Sequence, residues 1–256
     1  MCLLAVAWRR HPNWPVVLIV NRDERYDRPT AIAARWATDP HVLAGRDLEF
    51  GGTWLGVSEA GRLAAVTNFR DLSSPSPGLE SRGVLTRRVL LGEWDLGALE
   101  AMDPLVFRPF NLLAFEGGEA LYLTNRPAAH RRLQPGVHGV SNGPIDDPWP
   151  KTRLAMNALE RWLSGDAADT LPLFAILADE TPAGDADLPD TGLGLERERA
   201  LSPCFLRGPV YGTRCSTVIR VDHQGGGEFI ERSFGPGGVA TGEVRLEFRW
   251  PVLGSG

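Results

Sequence analysis

The sequence contains little cysteine. Its 256 residues include only Cys2, Cys204 and Cys215, an odd and sparse set with neither the CxxC spacing of zinc sites nor the density of a disulfide framework. This pattern favours a reducing compartment, so we expect a cytoplasmic protein.

Long apolar runs are also missing. After the amino terminus, the longest run covers residues 16–20, which is far shorter than a bilayer span. The apolar run at residues 2–7 precedes Arg9 and Arg10, which reverses the charge order of a secretion signal. We therefore expect neither a signal peptide nor a membrane span.

Positive charge is neither in excess nor clustered. The formal net charge is -5, and Lys and Arg are spread along the chain, so nucleic acid is not an expected partner. The sequence has no Walker A loop, GxGxxG, HExxH or CxxCH motif. Because its five histidines lack metal-ligand spacing, we expect no metal site and no required cofactor.

Apolar residues are plentiful enough for a sizeable core. The hydrophobic content is 43%, and the length suits one domain over residues 1–256. Residues 3–8 and 16–20 flank a turn at residues 11–13, which predicts an antiparallel hairpin. Further predicted strands cover residues 53–58, 63–68, 111–115, 120–124, 216–221, 229–233 and 244–250. Successive hairpins indicate mostly antiparallel sheet.

Helical patterns lie between these strands. The predicted helices cover residues 84–102 with a break at Gly92, 150–163 and 171–178. On one face of the second helix, the apolar residues are Leu154, Ala155, Ala158, Leu159, Trp162 and Leu163. Helices grouped between runs of strands predict an α+β fold with helices packed on sheet. We interpret residues 71–82 and 180–199 as surface loops.

Cys2 is the first candidate for chemistry. Removal of Met1 would leave a thiol and a free α-amine on one residue, and an amine with a pKa near 8 can take the thiol proton. The alternative is that Cys2 only begins a buried strand.

A polar run follows the second predicted strand directly. Asn21, Arg22, Asp23 and Glu24 would lie near the amino terminus if residues 16–20 pair with residues 3–8. The alternative is a solvated turn with internal ion pairs.

Two asparagines stand where predicted strands enter loops. The amides of Asn68 and Asn142 are placed to stabilise an oxyanion, although asparagine at a strand end more often forms a turn. Tyr211 and Arg214 add a hydroxyl and a cation before another strand. The glycines before Trp54 allow a close backbone approach or begin an ordinary strand.

Six ordered blocks carry a family resemblance. They are Met1-Cys2, NRDE at residues 21–24, GGTWLG at residues 51–56, AAVTN at residues 64–68, GVSN at residues 139–142 followed by PWPK, and YGTR at residues 211–214. The chain resembles the NRDE family, whose animal members are called transport-and-Golgi-organisation proteins, from Met1 to the ERSF segment ending at Phe234.

The resemblance implies a fold and a site. It implies the amino-terminal nucleophile (Ntn) hydrolase fold, a four-layer αββα sandwich, and a weaker similarity to choloylglycine hydrolases and penicillin acylases. In that comparison Cys2 matches the nucleophile, Asp23 the carboxylate that orients the α-amine, and Asn142 an oxyanion amide. Asn68 falls near the second oxyanion position, and Arg214 matches the late arginine of the site.

One position departs from those hydrolases. They carry an arginine three residues before the aspartate, where this sequence has Val20. The nearest arginine, Arg22, is expected to project to the opposite face of the strand.

Two functions remain open from the sequence. In the first, Cys2 hydrolyses an amide or acyl bond of a small molecule, with Asn21, Arg22, Glu24, Trp54 and Tyr211 binding the substrate. In the second, implied by the resemblance, the same pocket carries haem without catalysis, with arginines pairing its carboxylates and Trp54 and Trp149 lining it. The sequence does not determine the oligomeric state.

Overall fold

The structure is a computed structural model that describes residues 2–72, 78–145, 147–165 and 167–252. The strands are β1 (Cys2–Trp8), β2 (Val16–Arg25), β3 (Thr30–Arg35), β4 (Val42–Asp47), β5 (Leu55–Ser58), β6 (Arg62–Asn68), β7 (Phe110–Glu116), β8 (Glu119–Asn125), β9 (Ala128–Arg132), β10 (Gly136–Val140), β11 (Tyr211–Val221), β12 (Gly226–Gly235) and β13 (Val239–Arg249). The α-helices are α1 (Gly83–Leu91), α2 (Leu96–Ala101), α3 (Pro150–Leu163), α4 (Leu171–Leu177) and α5 (Leu195–Ala200).

The strands form two antiparallel sheets. One has the order β10-β1-β2-β11-β12-β13, and the other runs β3-β4-β5-β6-β7-β8-β9. In the second sheet each strand pairs with the next strand in the chain, and most of these pairs are hairpins. In the β7–β8 turn, Gly117 and Gly118 have φ values of 60° and 80°, the left-handed conformation that glycine adopts without steric cost.

Alternating side chains place the sheets between two helical layers. Leu4 and Leu18 of the first sheet enter a core shared with the second sheet. Leu3 and Ile19, on the other face of the same strands, pack with residues of α3 and α4. The helices α1 and α2 pack on the second sheet. The predicted α+β, four-layer αββα sandwich of mostly antiparallel sheets is confirmed.

Helix α3 covers the predicted residues. Pro150 stands in its first turn, where a proline nitrogen needs no intrahelical partner. Its buried face includes Ala155, Leu159 and Trp162, as predicted, but Leu154 is 38% exposed. The polar Lys151 is buried instead, because the first turn of α3 faces the end of β2 and not only apolar residues.

Several other predicted elements are confirmed, and some were missed. Gly92 ends α1 in a left-handed conformation, as the predicted break requires. The strands β3, β4 and β9 and the short helix α5 were not predicted, and β10 ends two residues before Asn142, where a strand end was expected. Helix α5 lies inside the predicted loop at residues 180–199, and part of the other predicted loop, residues 73–77, lies outside the described residues. No described helix is both long and apolar enough to cross a bilayer.

Candidate functional site

The pairing of β1 with β2 sets the position of Cys2. Cys2 lies directly opposite Arg22 in the antiparallel register, so their side chains share the face that looks toward the second sheet. The expectation that Arg22 projects away was wrong. Residues two apart in a strand share a face, so Arg22 and Val20 point to the same side.

Cys2 opens into a small polar cavity between the sheets. The cavity has a volume of about 80 Å³. Its lining residues are Cys2, Arg22, Asp23, Glu24, Arg28, Asp47, Thr53, Trp54, Val66, Asn68, Ser81, Arg82, Gly83 and Arg108. Of the predicted site residues, Cys2, Arg22, Asp23, Glu24, Trp54 and Asn68 therefore meet in one place.

Cys2 is buried, with 7% of the residue exposed. Burial raises its pKa, and the carboxylate of Asp23 adds to this effect while Arg22 opposes it. Since only the thiolate is a strong nucleophile, a neighbouring base is needed before Cys2 can attack a carbonyl carbon.

Asp23 is a buried carboxylate within the polar run. Its Oδ1 accepts a hydrogen bond from Thr213 Oγ1 at 2.7 Å, and its Oδ2 lies 4.0 Å from Lys151 Nζ. Burial raises the pKa of Asp23, opposed by Lys151 and Thr213. Burial likewise lowers the pKa of Lys151, opposed by Asp23. Lys151 of α3 and Thr213 of β11 therefore hold the Asp23 carboxylate near the start of β1.

Asn142 lies next to the start of β1. Strand β10 pairs with β1, with Leu4 opposite Val140, and Ser141 Oγ donates to the carbonyl oxygen of Cys2 at 2.7 Å. Asn142 Nδ2 donates to the backbone oxygen of Asn68 at 2.7 Å. The two predicted oxyanion residues therefore touch, although Asn142 is outside the set of described residues that line the cavity.

Asn21 faces the helical layer and not the cavity. Its Nδ2 donates to the carbonyl oxygens of Leu177 at 2.7 Å and Cys204 at 2.8 Å. Its Oδ1 accepts from Ser216 Oγ at 2.6 Å. These bonds link β2 to β11, to the end of α4 and to the segment after α5, so Asn21 connects the first sheet to the helical layer.

Trp54 separates the Cys2 cavity from a second one. The guanidinium of Arg22 lies 4.2 Å from the centre of the Trp54 ring, and both residues line each cavity. Arg214 does not line the Cys2 cavity but does line the second one, which has a volume of about 110 Å³. The Nη1 of Arg214 donates to the backbone oxygen of Arg25 at 2.7 Å.

Two more residues proposed from the sequence lie away from the cavity lining. The hydroxyl of Tyr211 donates to the backbone oxygen of Asp23 at 3.2 Å, so Tyr211 supports the strand and not the cavity wall. Trp149 lies under the guanidinium of Arg70, 4.6 Å from its carbon, beside another pocket. Trp149 therefore does not share the cavity with Trp54.

Part of the cavity wall comes from residues that were not predicted from the sequence. Arg82 and Arg108 come from two connecting segments that no local motif marks. The glycine pattern did hold a signal, because a Cβ on Gly52 would lie 2.5 Å from the backbone carbon of Gly83. Thr53 N–H donates to the Gly83 oxygen at 3.2 Å. The close approach that GGTW allows therefore positions the segment carrying Arg82.

The arrangement brings together the parts of an acyl-transfer site. A buried thiol lies beside a carboxylate, amide side chains and several guanidinium groups, and the cavity leaves space only for a small group. A thiol, a carboxylate and amide groups near one another are the types of group that covalent catalysis at a carbonyl carbon uses.

Solved structures share this fold. The chain aligns with a mutant of the conjugated bile acid hydrolase from Clostridium perfringens at a TM-score of 0.56 and 9% identity, covering 96% of this chain and 92% of that one. A second variant of that hydrolase aligns at a TM-score of 0.51 and 10% identity, covering 98% of each chain. These similarities show the Ntn-hydrolase fold.

Sequence comparisons identify the family. The family model described as Transport and Golgi organisation 2 matches residues 1–236. The Transport and Golgi organization protein 2 homologs of Bos taurus and Homo sapiens are each 33% identical, covering 91% of this chain and 93% of theirs. The resemblance read from the NRDE motif is confirmed, and the chain belongs to the Transport and Golgi organisation 2 family.

Proposed function

We propose that this protein hydrolyses an amide or related acyl bond of a small molecule, with Cys2 as the nucleophile after removal of Met1. The observation that carries this proposal is the meeting of three groups at one end of β1. The thiol of Cys2 opens into a polar cavity, the Asp23 carboxylate is buried beside it, and Ser141 ties the Asn142 segment to the Cys2 carbonyl.

The reaction has two steps. The freed α-amine of Cys2 takes the thiol proton, the sulfur attacks the carbonyl carbon, and the amine returns the proton to the leaving nitrogen. Water then attacks the thioester, giving a carboxylic acid and the free thiol. We assign to Asp23 the role of orienting the α-amine. Thr213 and Lys151 fix the position of the Asp23 carboxylate.

Asn68 and Asn142 are assigned to the oxyanion that forms in each step. Each loss of an oxyanion donor costs about 3 kcal/mol of transition-state stabilisation. Because Asn142 Nδ2 donates to the Asn68 backbone, the two residues hold each other, and Asn142 also acts by positioning Asn68.

A comparison of thiol variants tests this function. Cys2→Ala should abolish turnover of a panel of N-acyl amides and acyl thioesters, whereas Cys204→Ala, which removes another buried free thiol, should keep it. Hydrolysis that survives in Cys2→Ala, or no hydrolysis of any panel member by the protein lacking Met1, would contradict the proposal.

We place the activity in the cytosol, which the three free cysteines support.

Haem carriage is the second candidate, and the cavity arginines favour it because guanidinium groups pair with carboxylates. The size of the cavity works against it. A volume of about 80 Å³ is below the roughly 300–1,000 Å³ of pockets for drug-sized ligands. Haem would therefore require the cavity to open. An optical titration that shows no saturable haem binding would remove this candidate.

A further inference from the structure

Two arginines of the cavity wall are held side by side by backbone bonds. Glu80 and Phe107 form a parallel bridge between their segments. Arg108 N–H donates to the Glu80 oxygen at 3.2 Å, and Arg82 Nη1 donates to the Pro109 oxygen at 3.1 Å. Both side chains line the Cys2 cavity. The fold therefore fixes two guanidinium groups near each other and near the thiol.

These two arginines lack the acidic partners that other cavity residues have. Arg28 Nη2 lies 2.6 Å from Asp47 Oδ2 and Arg28 Nη1 lies 3.1 Å from Glu49 Oε2. Within the described part of the chain, neither Arg82 nor Arg108 forms an ion pair with a carboxylate, and Arg108 Nε is buried without a hydrogen-bond partner. The cavity is also lined by the carboxylates of Asp23, Glu24 and Asp47, and Glu24 partly offsets the lowering of the pKa of Arg82 without forming an ion pair with it.

Arg22 adds a third guanidinium group to the lining of the same cavity. Its side chain is 6% exposed, and its nearest carboxylate oxygen, on Glu24, is 3.9 Å away. Its Nη1 is buried and has no hydrogen-bond partner among the described residues. A buried guanidinium donor without an acceptor is costly, so an acceptor supplied by a ligand would be strongly favoured.

Electrostatics favour the same conclusion. Burial and the neighbouring charge of Arg108 lower the pKa of Arg82 to about 10. Even so, the guanidinium remains charged at neutral pH. An anion between the two arginines would relieve their repulsion and accept charge-assisted hydrogen bonds.

We propose that Arg22, Arg82 and Arg108 form a subsite for an anionic oxygen group, a carboxylate or a phosphate, on the molecule that Cys2 cleaves. The substrate class is then an acyl amide or thioester that carries such a group close to its scissile bond. That the bound molecule is a substrate rests on the proposed hydrolysis. The anion site itself stands on the arginine geometry.

Binding of simple anions tests the subsite without any reaction. Succinate and inorganic phosphate serve as the carboxylate and phosphate probes, and saturable increases in melting temperature report binding. Arg82→Gln and Arg108→Gln should each weaken the better probe at least about tenfold. Arg199→Gln, which removes an exposed arginine paired with Asp185, should leave its affinity unchanged. Arg82→Lys should lose less affinity than Arg82→Gln.

Activity on matched substrates links the subsite to catalysis. We expect an N-acyl amide with a terminal carboxylate or phosphate to be cleaved at least about tenfold faster, in kcat/KM, than its neutral analogue, the methyl ester of the carboxylate or the fully methylated phosphate ester. Arg82→Gln should remove this preference.

The two proposals fail in different ways. Probe binding that depends on the arginines, with no Cys2-dependent turnover, would overturn hydrolysis and keep the anion site. Cys2-dependent turnover without charge preference, or saturable probe binding that Arg82→Gln and Arg108→Gln leave unchanged, would overturn the anion site. If no probe binds to the folded wild-type protein, the anion site is also overturned.

Discussion

The two faces of β2 hold their polar residues in different ways. On the face toward the helices, Asn21 makes three side-chain hydrogen bonds, to Leu177, Cys204 and Ser216. On the face toward the second sheet, Arg22 has a buried nitrogen without a partner. Glu24 lies 3.9 Å from the nearest guanidinium nitrogens. The fold therefore satisfies the amide of Asn21 on one face, whereas Arg22 on the other face keeps hydrogen-bonding capacity for a ligand.

Substitution of Asp23 should have the largest effect on the free energy of unfolding. Asp23→Asn removes the charge opposite Lys151, which is buried with it. Breaking a buried pair costs about 3–5 kcal/mol, so the free energy of unfolding in urea at neutral pH should fall by about that amount. An unpaired Lys151 escapes the cost by losing its proton, so the loss should shrink as pH rises.

The control for this prediction is Asp27→Asn. Asp27 pairs with Arg25 on the surface, where ion pairs contribute little to stability. The free energy of unfolding of Asp27→Asn should therefore stay close to that of the wild type. A loss in Asp23→Asn below about 1 kcal/mol would show that Asp23 and Lys151 do not depend on each other.

Asn21 should come next. Asn21→Ala leaves two buried carbonyl oxygens and the Ser216 hydroxyl without their partner, which should lower the free energy of unfolding by about 2–4 kcal/mol. The matched control is Asn13→Ala at an exposed position. Equal effects of the two variants in urea unfolding would contradict the view that this face of β2 is structural.

Gly52 tests the wall that carries Arg82. In Gly52→Ala the new methyl group meets the backbone of Gly83 at 2.5 Å, so we expect a loss of about 1–3 kcal/mol in the free energy of unfolding and weaker phosphate binding. Gly242→Ala meets nothing within 4 Å and should change neither quantity. A neutral Gly52→Ala would mean that the Gly83 segment moves freely.

Arg22 should have the smallest effect on stability. Arg22→Gln loses the contact with Trp54, worth about 0.5–2 kcal/mol. It also removes the cost of a buried unpaired donor, about 1–3 kcal/mol. We expect the free energy of unfolding to change by less than about 1 kcal/mol, while phosphate affinity in a melting-temperature titration falls about tenfold. A destabilisation as large as that of Asn21→Ala would abolish the distinction between the two faces.

The sequence predicted the elements that have strong local patterns. The alternation in β6 to β8, the break at Gly92 and the bounds of α3 follow from short-range chemistry. Two of the missed strands have weaker patterns. Strand β9 is exposed over most of its length, and β3 has a single buried residue, Ala33, so neither shows a buried face to read.

The site was predictable in part for the same reason. The polar block at residues 21–24 is visible in the sequence as a cluster of charges beside a predicted strand. The register of the β1–β2 hairpin then places it next to Cys2. Arg82 and Arg108 meet only through the bridge between Glu80 and Phe107, a tertiary contact that no nearby residues encode. Lys151 was part of a motif, yet its pairing with Asp23 depends on how α3 docks against β2.

The central claim is that Cys2, freed of Met1, is the group that attacks. The most direct measurement is the mass of the protein made in its own host, intact and as peptides, before and after a brief reaction with an acyl thioester quenched in acid. The account predicts that Met1 is absent and that the acyl group is on the peptide that begins with Cys2. Retention of Met1, or an acyl group found only on Cys204, Cys215 or a lysine, would contradict it.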